Sequence, residues 1–347
     1  MPELPEVETV RRGLARLLLG RVVRRVTVFD SPKSFPNAPE QVEHFLYGAS
    51  VVAVRRRAKV LIIDLSTNYS LVIHLKMTGQ LIFRTISFAS SLATHSPRST
   101  LFSESAPGTS IERSAEISLG SISQSPQRSV ARSEALPSDM QSFAGGHPND
   151  SLIGELPDRS TRVLLEFTDG SHLYFNDQRK FGWIKLMPTA EVEQLPFFQK
   201  VGPEPLEETT TAAEFVQRIR RRTGSMVKPA ILDQSVIAGV GNIYADEALW
   251  AANIHPETRV RDLSDVQLKV LFTEIVHILQ LSIDKGGSTD KNYVDAEGRK
   301  GSYLQFARVF RREGQSCYRH PDEVITKVKV AGRGTHICLV CQPKGEL

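Results

Sequence analysis

Four residues near the end of the 347-residue chain restrict its folding more than any others. Cys317 and His320 stand three apart, seventeen residues follow, and Cys338 and Cys341 again stand three apart. The intervening "VITKVKVAGRGTHI" alternates apolar and polar side chains around a glycine turn, the pattern of a β-hairpin. Each end of that hairpin carries a chelating knuckle, and three thiolates with one imidazole meet the tetrahedral demand of zinc. His336, inside the hairpin, is a rival for the fourth position. Four protein ligands leave no open position, so the ion is expected to be structural and to supply stability that so small a unit lacks.

These are the chain's three cysteines, which argues for a reducing compartment and against a disulfide framework. The N-terminus lacks a basic stretch followed by an apolar one, and no uncharged apolar run approaches the roughly 20 residues that span a bilayer. A cytoplasmic protein without a membrane partner is expected. The net charge of +4 conceals an asymmetry: residues 87–160 hold five arginines, no lysine and eight carboxylates, leaving +7 for the remainder. A basic folded part favours a nucleic-acid partner. The same stretch contains 19 serines without sustained periodicity, so it reads as a disordered insertion in a surface loop.

Either side of the insertion the pattern is β-rich. "RVVRRVTVF", "ASVVAVRRRAKVLIIDL" and "SLVIHLKMTGQLIF" precede it, and "RVLLEFTDGSHLYF" follows as two alternating runs joined by Asp169-Gly170, a hairpin signal. A helix is expected over Glu6–Gly20, where Val7, Val10, Leu14, Leu17 and Leu18 share one face. Beyond "VGPEPL" helices are expected at 212–222, 229–237, 243–252 and 265–282, the last capped by Ser264 with Gln267 three residues on. The expected divisions are 1–204, 205–300 and 301–347.

Several residues bear the marks of chemistry. Once Met1 is removed, Pro2 would carry a free secondary amine, beside Glu3 and Glu6. Gly239 and Gly241 in "AGVGN" allow close backbone approach, and Asn242 opens a helix whose N–H groups suit an anion. Arg333, between two glycines, is either a solvated turn residue or a guanidinium free to grip a phosphate. Lys59 starts a buried strand, and His74, Met77, Arg179 and Phe181 fall near strand ends, where a cation beside an exposed Met or Phe can wedge into a base stack.

Taken together, "PELPEVETVRRGL", "RRRAK", "HLKMTG", "DQRKFG", "LDQSVIAGVGNIYADEALW" and "VAGRGTHIC" resemble the formamidopyrimidine-DNA glycosylase family. The resemblance covers essentially the whole chain outside the insertion. It implies a multi-domain α+β fold: an N-terminal antiparallel β-sandwich flanked by helices, a helix-two-turn-helix domain and a C-terminal zinc-finger β-hairpin. It also implies a monomer that excises oxidised purines from damaged double-stranded DNA and then cuts the strand by β,δ-elimination. Pro2 would be the nucleophile, Glu3 the general acid, Glu6 its support, Lys59 a phosphate contact and proton donor, and Arg333 the aid to δ-elimination. Met77, Arg179 and Phe181 would fill the void left by the everted nucleotide, while His74, Lys228 and Asn242 would contact DNA. An oxidised-pyrimidine glycosylase of the endonuclease VIII type and a catalytically impaired damage-binding protein are the alternatives. Two departures stand out. His320 occupies a position where the family typically has cysteine, and "RSTRV" at Arg159–Val163 replaces a His-containing stretch.

Overall fold

The computed structural model describes residues 2–29, 32–85, 155–288 and 301–344, together with the backbone of 142–146. An N-terminal lobe is built from two antiparallel sheets. One has the order β1-β7-β8-β5-β6, comprising Val23–Val28, Thr161–Phe167, His172–Asp177, Gly79–Arg84 and Ser142–Gly146. The other has the order β2-β3-β4-β9, comprising Val51–Arg57, Val60–Leu65, Tyr69–His74 and Trp183–Pro188. Alternate side chains of both sheets, among them Leu61, Ile63, Leu81, Phe83, Val163 and Phe175, meet in one core. The expected turn at Asp169-Gly170 joins β7 to β8, with Gly170 at φ 82°.

Helix α1 (Leu4–Leu18) starts two residues earlier than its apolar periodicity suggests. Pro5 is pre-set for a first turn, and Glu6 Oε2 accepts the Glu3 N–H at 2.8 Å. The helix serves two cores. Val7, Val10, Leu14 and Leu18 pack in the sandwich, whereas Leu4 packs with the helical lobe and donates its N–H to Gly239 O at 3.1 Å. A short helix α2 (Pro39–Leu46) adds Val42 and Leu46 to the sandwich core, and α3 (Pro196–Lys200) precedes the crossing into the helical lobe.

That lobe contains α4 (Ala212–Ile219), α5 (Val227–Leu232), α6 (Asn242–Ala251) and α7 (Asp265–Asp284). The expected helix over 229–237 is shorter than its sequence suggests. Asp233 Oδ1 accepts the Ser235 N–H at 2.9 Å, a local turn that competes with helix continuation. The capping of α7 by Ser264 and Gln267 is as expected. Helix α7 is long and apolar enough to cross a membrane by length and hydropathy, yet Leu268, Leu271, Ile275 and Leu279 line the lobe's core.

A one-turn helix α8 (Tyr303–Phe306) leads to the terminal hairpin, β10 (Thr326–Val330) and β11 (Arg333–Ile337). Ala331 and Gly332, at φ 46° and 81°, form its two-residue turn. The structureless reading of 87–160 needs correction where residues are described. Strand β6 pairs with β5 from Arg84↔Ser142 to Gln80↔Gly146, and Ser160 and Thr161 are held in a turn on Asp158. The rest of that expectation lies outside the described residues.

Candidate active site and metal centre

The lobes meet over a cavity of about 510 Å³ whose walls include Glu3, Lys59, His74, Met77, Asn242 and Arg333. Six residues singled out in the sequence thus converge although they span more than 300 positions. Pro2, buried, directly precedes Glu3, the N-cap residue of α1. Lys59 sits in the tight β2–β3 turn, after Ala58 at φ 51°, and its Nζ donates to Val240 O at 3.0 Å. Glu3 reaches the N-terminus of α6, where Oε1 accepts the Ile243 N–H at 3.1 Å, while Oε2 is buried without a partner. A Cβ on Gly241 would fall inside the Glu3 carboxyl, so only glycine permits this approach.

Burial dominates the electrostatics. It pushes the Glu3 carboxyl up to about 7, with the Lys59 charge opposing the rise and Glu6 adding to it. Burial also lowers the Lys59 ammonium, against the pull of Glu3 and Glu6. The His74 imidazole is driven down to about 3 by burial and by the charges of Lys76 and Lys59, so it is neutral at pH 7. Its Nδ1 accepts the Lys76 N–H at 3.1 Å, which leaves Nε2 as the protonated nitrogen. The cavity therefore holds an acid able to give up a proton near neutrality, a lysine of reduced basicity and a neutral imidazole donor.

Glu6 lies behind the cavity wall. Its Oε1 accepts Tyr244 Oη at 2.5 Å and both Ser288 N and Oγ at 2.7 Å. Arg179 and Phe181 stand outside the cavity on the β8–β9 turn, the guanidinium 5.0 Å from the ring centroid; Phe181 is 55% and Met77 40% exposed.

One expectation about phosphate contacts changes. Lys228 is fully buried, and its three ammonium protons go to Asp246 Oδ1 and Thr335 Oγ1, each at 2.6 Å, and to Gly334 O at 3.2 Å. It has no proton left for DNA. Asn242 Nδ2 likewise donates to Gly334 O at 3.0 Å, and Glu3 already occupies the Ile243 N–H. Both side chains tether the hairpin that carries Arg333, and Asn242 keeps its place in the cavity wall. Arg333 itself is exposed as the first residue of β11, beyond the turn rather than in it.

The terminal knuckles converge as their spacing implies. One ligand atom each from Cys317, His320, Cys338 and Cys341 lies within 4.8 Å of the others, with Cys317 and Cys341 sulfurs 3.6 Å apart and His320 Nδ1 3.1 Å from Cys341 Sγ. A tetrahedral ion at thiolate distances needs sulfur edges of about 3.8 Å, so this donor set can hold a metal. The rival His336 faces elsewhere, with Nδ1 3.1 Å from Asp246 and Nε2 3.2 Å from Glu313.

Other site residues went unread in the sequence. Gln234 braces the glycine turn by accepting the Gly239 N–H at 2.9 Å and donating to Val240 O at 2.9 Å. Phe197 and Lys76 line the cavity. Gln234, Tyr244, Asp246 and Glu247 all fall inside "LDQSVIAGVGNIYADEALW", so the signal that marked this stretch as a motif also marked them.

A sandwich and a helical lobe joined through one N-terminal helix, with a chelating hairpin docked on the second, define a helix-two-turn-helix protein of the DNA-repair glycosylase class. Residues 1–119 match the model of the formamidopyrimidine-DNA glycosylase N-terminal domain, and residues 201–293 match that of its H2TH domain. The chain is 36% identical over 342 residues to the formamidopyrimidine-DNA glycosylase of Pediococcus pentosaceus, covering 99% of both chains. It is 33% identical over 344 residues to that of Streptococcus thermophilus, covering 99% of this chain and 100% of the relative. Among solved structures, the Lactococcus lactis enzyme in complex with DNA containing an abasic site superposes with a TM-score of 0.72 at 29% identity, covering 99% of this chain and all of that one. The chain belongs to the formamidopyrimidine-DNA glycosylase family.

Proposed function

We propose that this protein is a bifunctional DNA glycosylase and abasic-site lyase of base-excision repair, removing 8-oxoguanine and formamidopyrimidines from duplex DNA. The observation that carries the reading is the Glu3 carboxyl, protonated up to about pH 7 in a cavity it shares with Lys59, one residue from Pro2. An acid with that pKa donates efficiently at neutral pH.

The Pro2 nitrogen lone pair bonds to C1′ of the damaged nucleotide as the bond from C1′ to the base breaks. The base departs with the bonding pair and takes up the proton that the amine then loses, and the sugar ring oxygen takes one from Glu3 as the ring opens, leaving a cationic C1′=N linkage. That linkage is an electron sink: loss of a C2′ proton expels the 3′ phosphate, loss of the C4′ proton expels the 5′ phosphate, and water then cleaves the C1′=N bond to free Pro2. Lys59 contacts phosphate and supplies a proton in the first elimination. Arg333, held by the Lys228 and Asn242 tethers, grips the phosphate departing in the second. His74 offers its Nε2 proton to the backbone. Met77, Arg179 and Phe181 fill the stack vacated by the everted nucleotide, which offsets an eversion cost of a few kcal/mol. Cys317, His320, Cys338 and Cys341 hold one Zn²⁺, which on binding cross-links the two knuckles and fixes the base of the Arg333 hairpin.

Borohydride trapping on a duplex with 8-oxoguanine opposite cytosine tests this reading. Wild-type protein freed of Met1 is expected to yield one covalent protein–DNA adduct, and Pro2→Gln none. Strand cutting by Pro2→Gln, or by protein that retains Met1, would overturn it.

A further inference from the structure

Two turns leave the same end of the five-stranded sheet, where Gly79 of β5 and Asp177 of β8 are register partners. One carries Met77 and the other carries Arg179 and Phe181. In each, a lysine in the left-handed region, Lys76 at φ 52° and Lys180 at φ 57°, immediately precedes the exposed apolar side chain. That conformation is unfavourable for a residue with a Cβ, so both turns need something to hold them.

Asp177, 0% exposed, is placed to do so. Its Oδ1 accepts the Thr78 hydroxyl from the Met77 turn and, at 3.1 Å, the Arg179 N–H from the other. Its Oδ2 accepts the Gly182 N–H at 2.6 Å, closing the turn around Phe181. Thr78 Oγ1 also accepts the Arg179 N–H at 3.2 Å, so the turns are joined directly as well. The aspartate is fixed from behind: its own N–H donates to Ser160 O at 2.8 Å, and Arg162 Nε donates to its carbonyl at 2.8 Å. Gly182 is hemmed in, since a Cβ there would lie 2.8 Å from the Phe175 ring and 3.1 Å from Asp177 Oδ2.

We propose that Asp177 is a positioning residue that locks the Met77 and Phe181 turns to each other, so that both apolar side chains enter the base stack as one pre-set wedge. Hydrogen bonds to a carboxylate are the strong ones, and a wedge ordered in advance loses little freedom on insertion. The inference rests on the reading of Met77 and Phe181 as void-filling residues.

Single-turnover excision of 8-oxoguanine from a duplex is compared with cleavage of an abasic site in a single strand, which has no stack to wedge. Asp177→Asn keeps the shape but turns an amide hydrogen towards an N–H or O–H donor. It is expected to slow duplex excision at least tenfold while single-strand cleavage stays within about twofold of wild type. Thr78→Val, which deletes only the cross-link, is expected to slow duplex excision about threefold and carries the test should Asp177→Asn fail to fold. Wild-type duplex excision by Asp177→Asn or by Thr78→Val, with Phe181→Ala impaired, would overturn the tether. So would equal slowing of both substrates, which marks a general structural role. Wild-type duplex excision by both Met77→Ala and Phe181→Ala would instead remove the wedge reading on which the tether rests.

Discussion

Glu3 shows how one buried carboxyl links stability to chemistry. Its folded pKa of about 7 lies above the ordinary value of 4.5. Between those values the folded chain keeps a proton that the unfolded chain has released, so stability is fully present below about pH 4.5 and falls as pH rises through 7. The shift corresponds to about 3 kcal/mol lost above that window. Glu3→Gln is therefore expected to raise the unfolding midpoint at pH 8, leave it nearly unchanged at pH 4 and abolish base excision; thermal melts at the two pH values check the sign. The residues of this site were legible as a set rather than one by one. Alone, Met77 reads as core and Arg333 as a solvated turn residue; the motifs around them marked both as site residues, and both line the cavity. Lys228 was a phosphate contact by family resemblance alone, and nothing in "VKPAIL" announces the carboxylate on the next helix that claims its charge.

Among the elements, α6 holds the most of the site together. Its Ile243 N–H donates to Glu3, its Tyr244 hydroxyl donates to Glu6, its Asp246 accepts from Lys228 and the His336 N–H, and its Glu247 accepts the N–H groups of Arg308, Val309 and Phe310 at 2.7–2.9 Å. Both acids are 1% exposed. Asp246→Ala would strand the Lys228 ammonium without its counter-charge, and a cost of about 3–5 kcal/mol is expected in denaturant unfolding. Removing both charges with Lys228→Met in the same chain should recover a large part of it. Helix α6 was expected from sequence almost to the residue, as was α7, since apolar spacing and end signals report an element's existence directly. What the helix fastens was not legible. "ADE" in mid-helix reads as a solvated face until the hairpin and the 308–310 turn are brought against it by contacts some 60 to 90 positions away.

At the scale of the molecule, the long interruption is inserted between strands that already pair. Arg84 of β5 and Ser142 of β6 are cross-strand partners, which a two-residue turn can join. Replacing residues 85–141 by Asn-Gly is expected to leave the unfolding midpoint within a few degrees and duplex excision within about threefold. An insoluble or inactive product would show that the removed segment is needed for folding. The strand-rich lobe, the helical lobe and the chelating hairpin were each foreseeable from periodicity or spacing, whereas the arrangement of the strands as a sandwich came only from the family resemblance. Strand β6 was not, since "SFAGG" is too short and too poor in β-branched residues to stand out from a serine-rich stretch.

The path of α1 between the two cores has a consequence for synthesis. Pro2 and Glu3 are made early, yet the groups that surround them arrive much later: Lys59 after one sheet has begun, the α6 amide at 243, and the guanidinium at 333. Until then Glu3 sits in water as an ordinary ionised side chain, with no proton to give at neutral pH. On the proposed mechanism, strand cutting is thus expected only of a chain made nearly to its end.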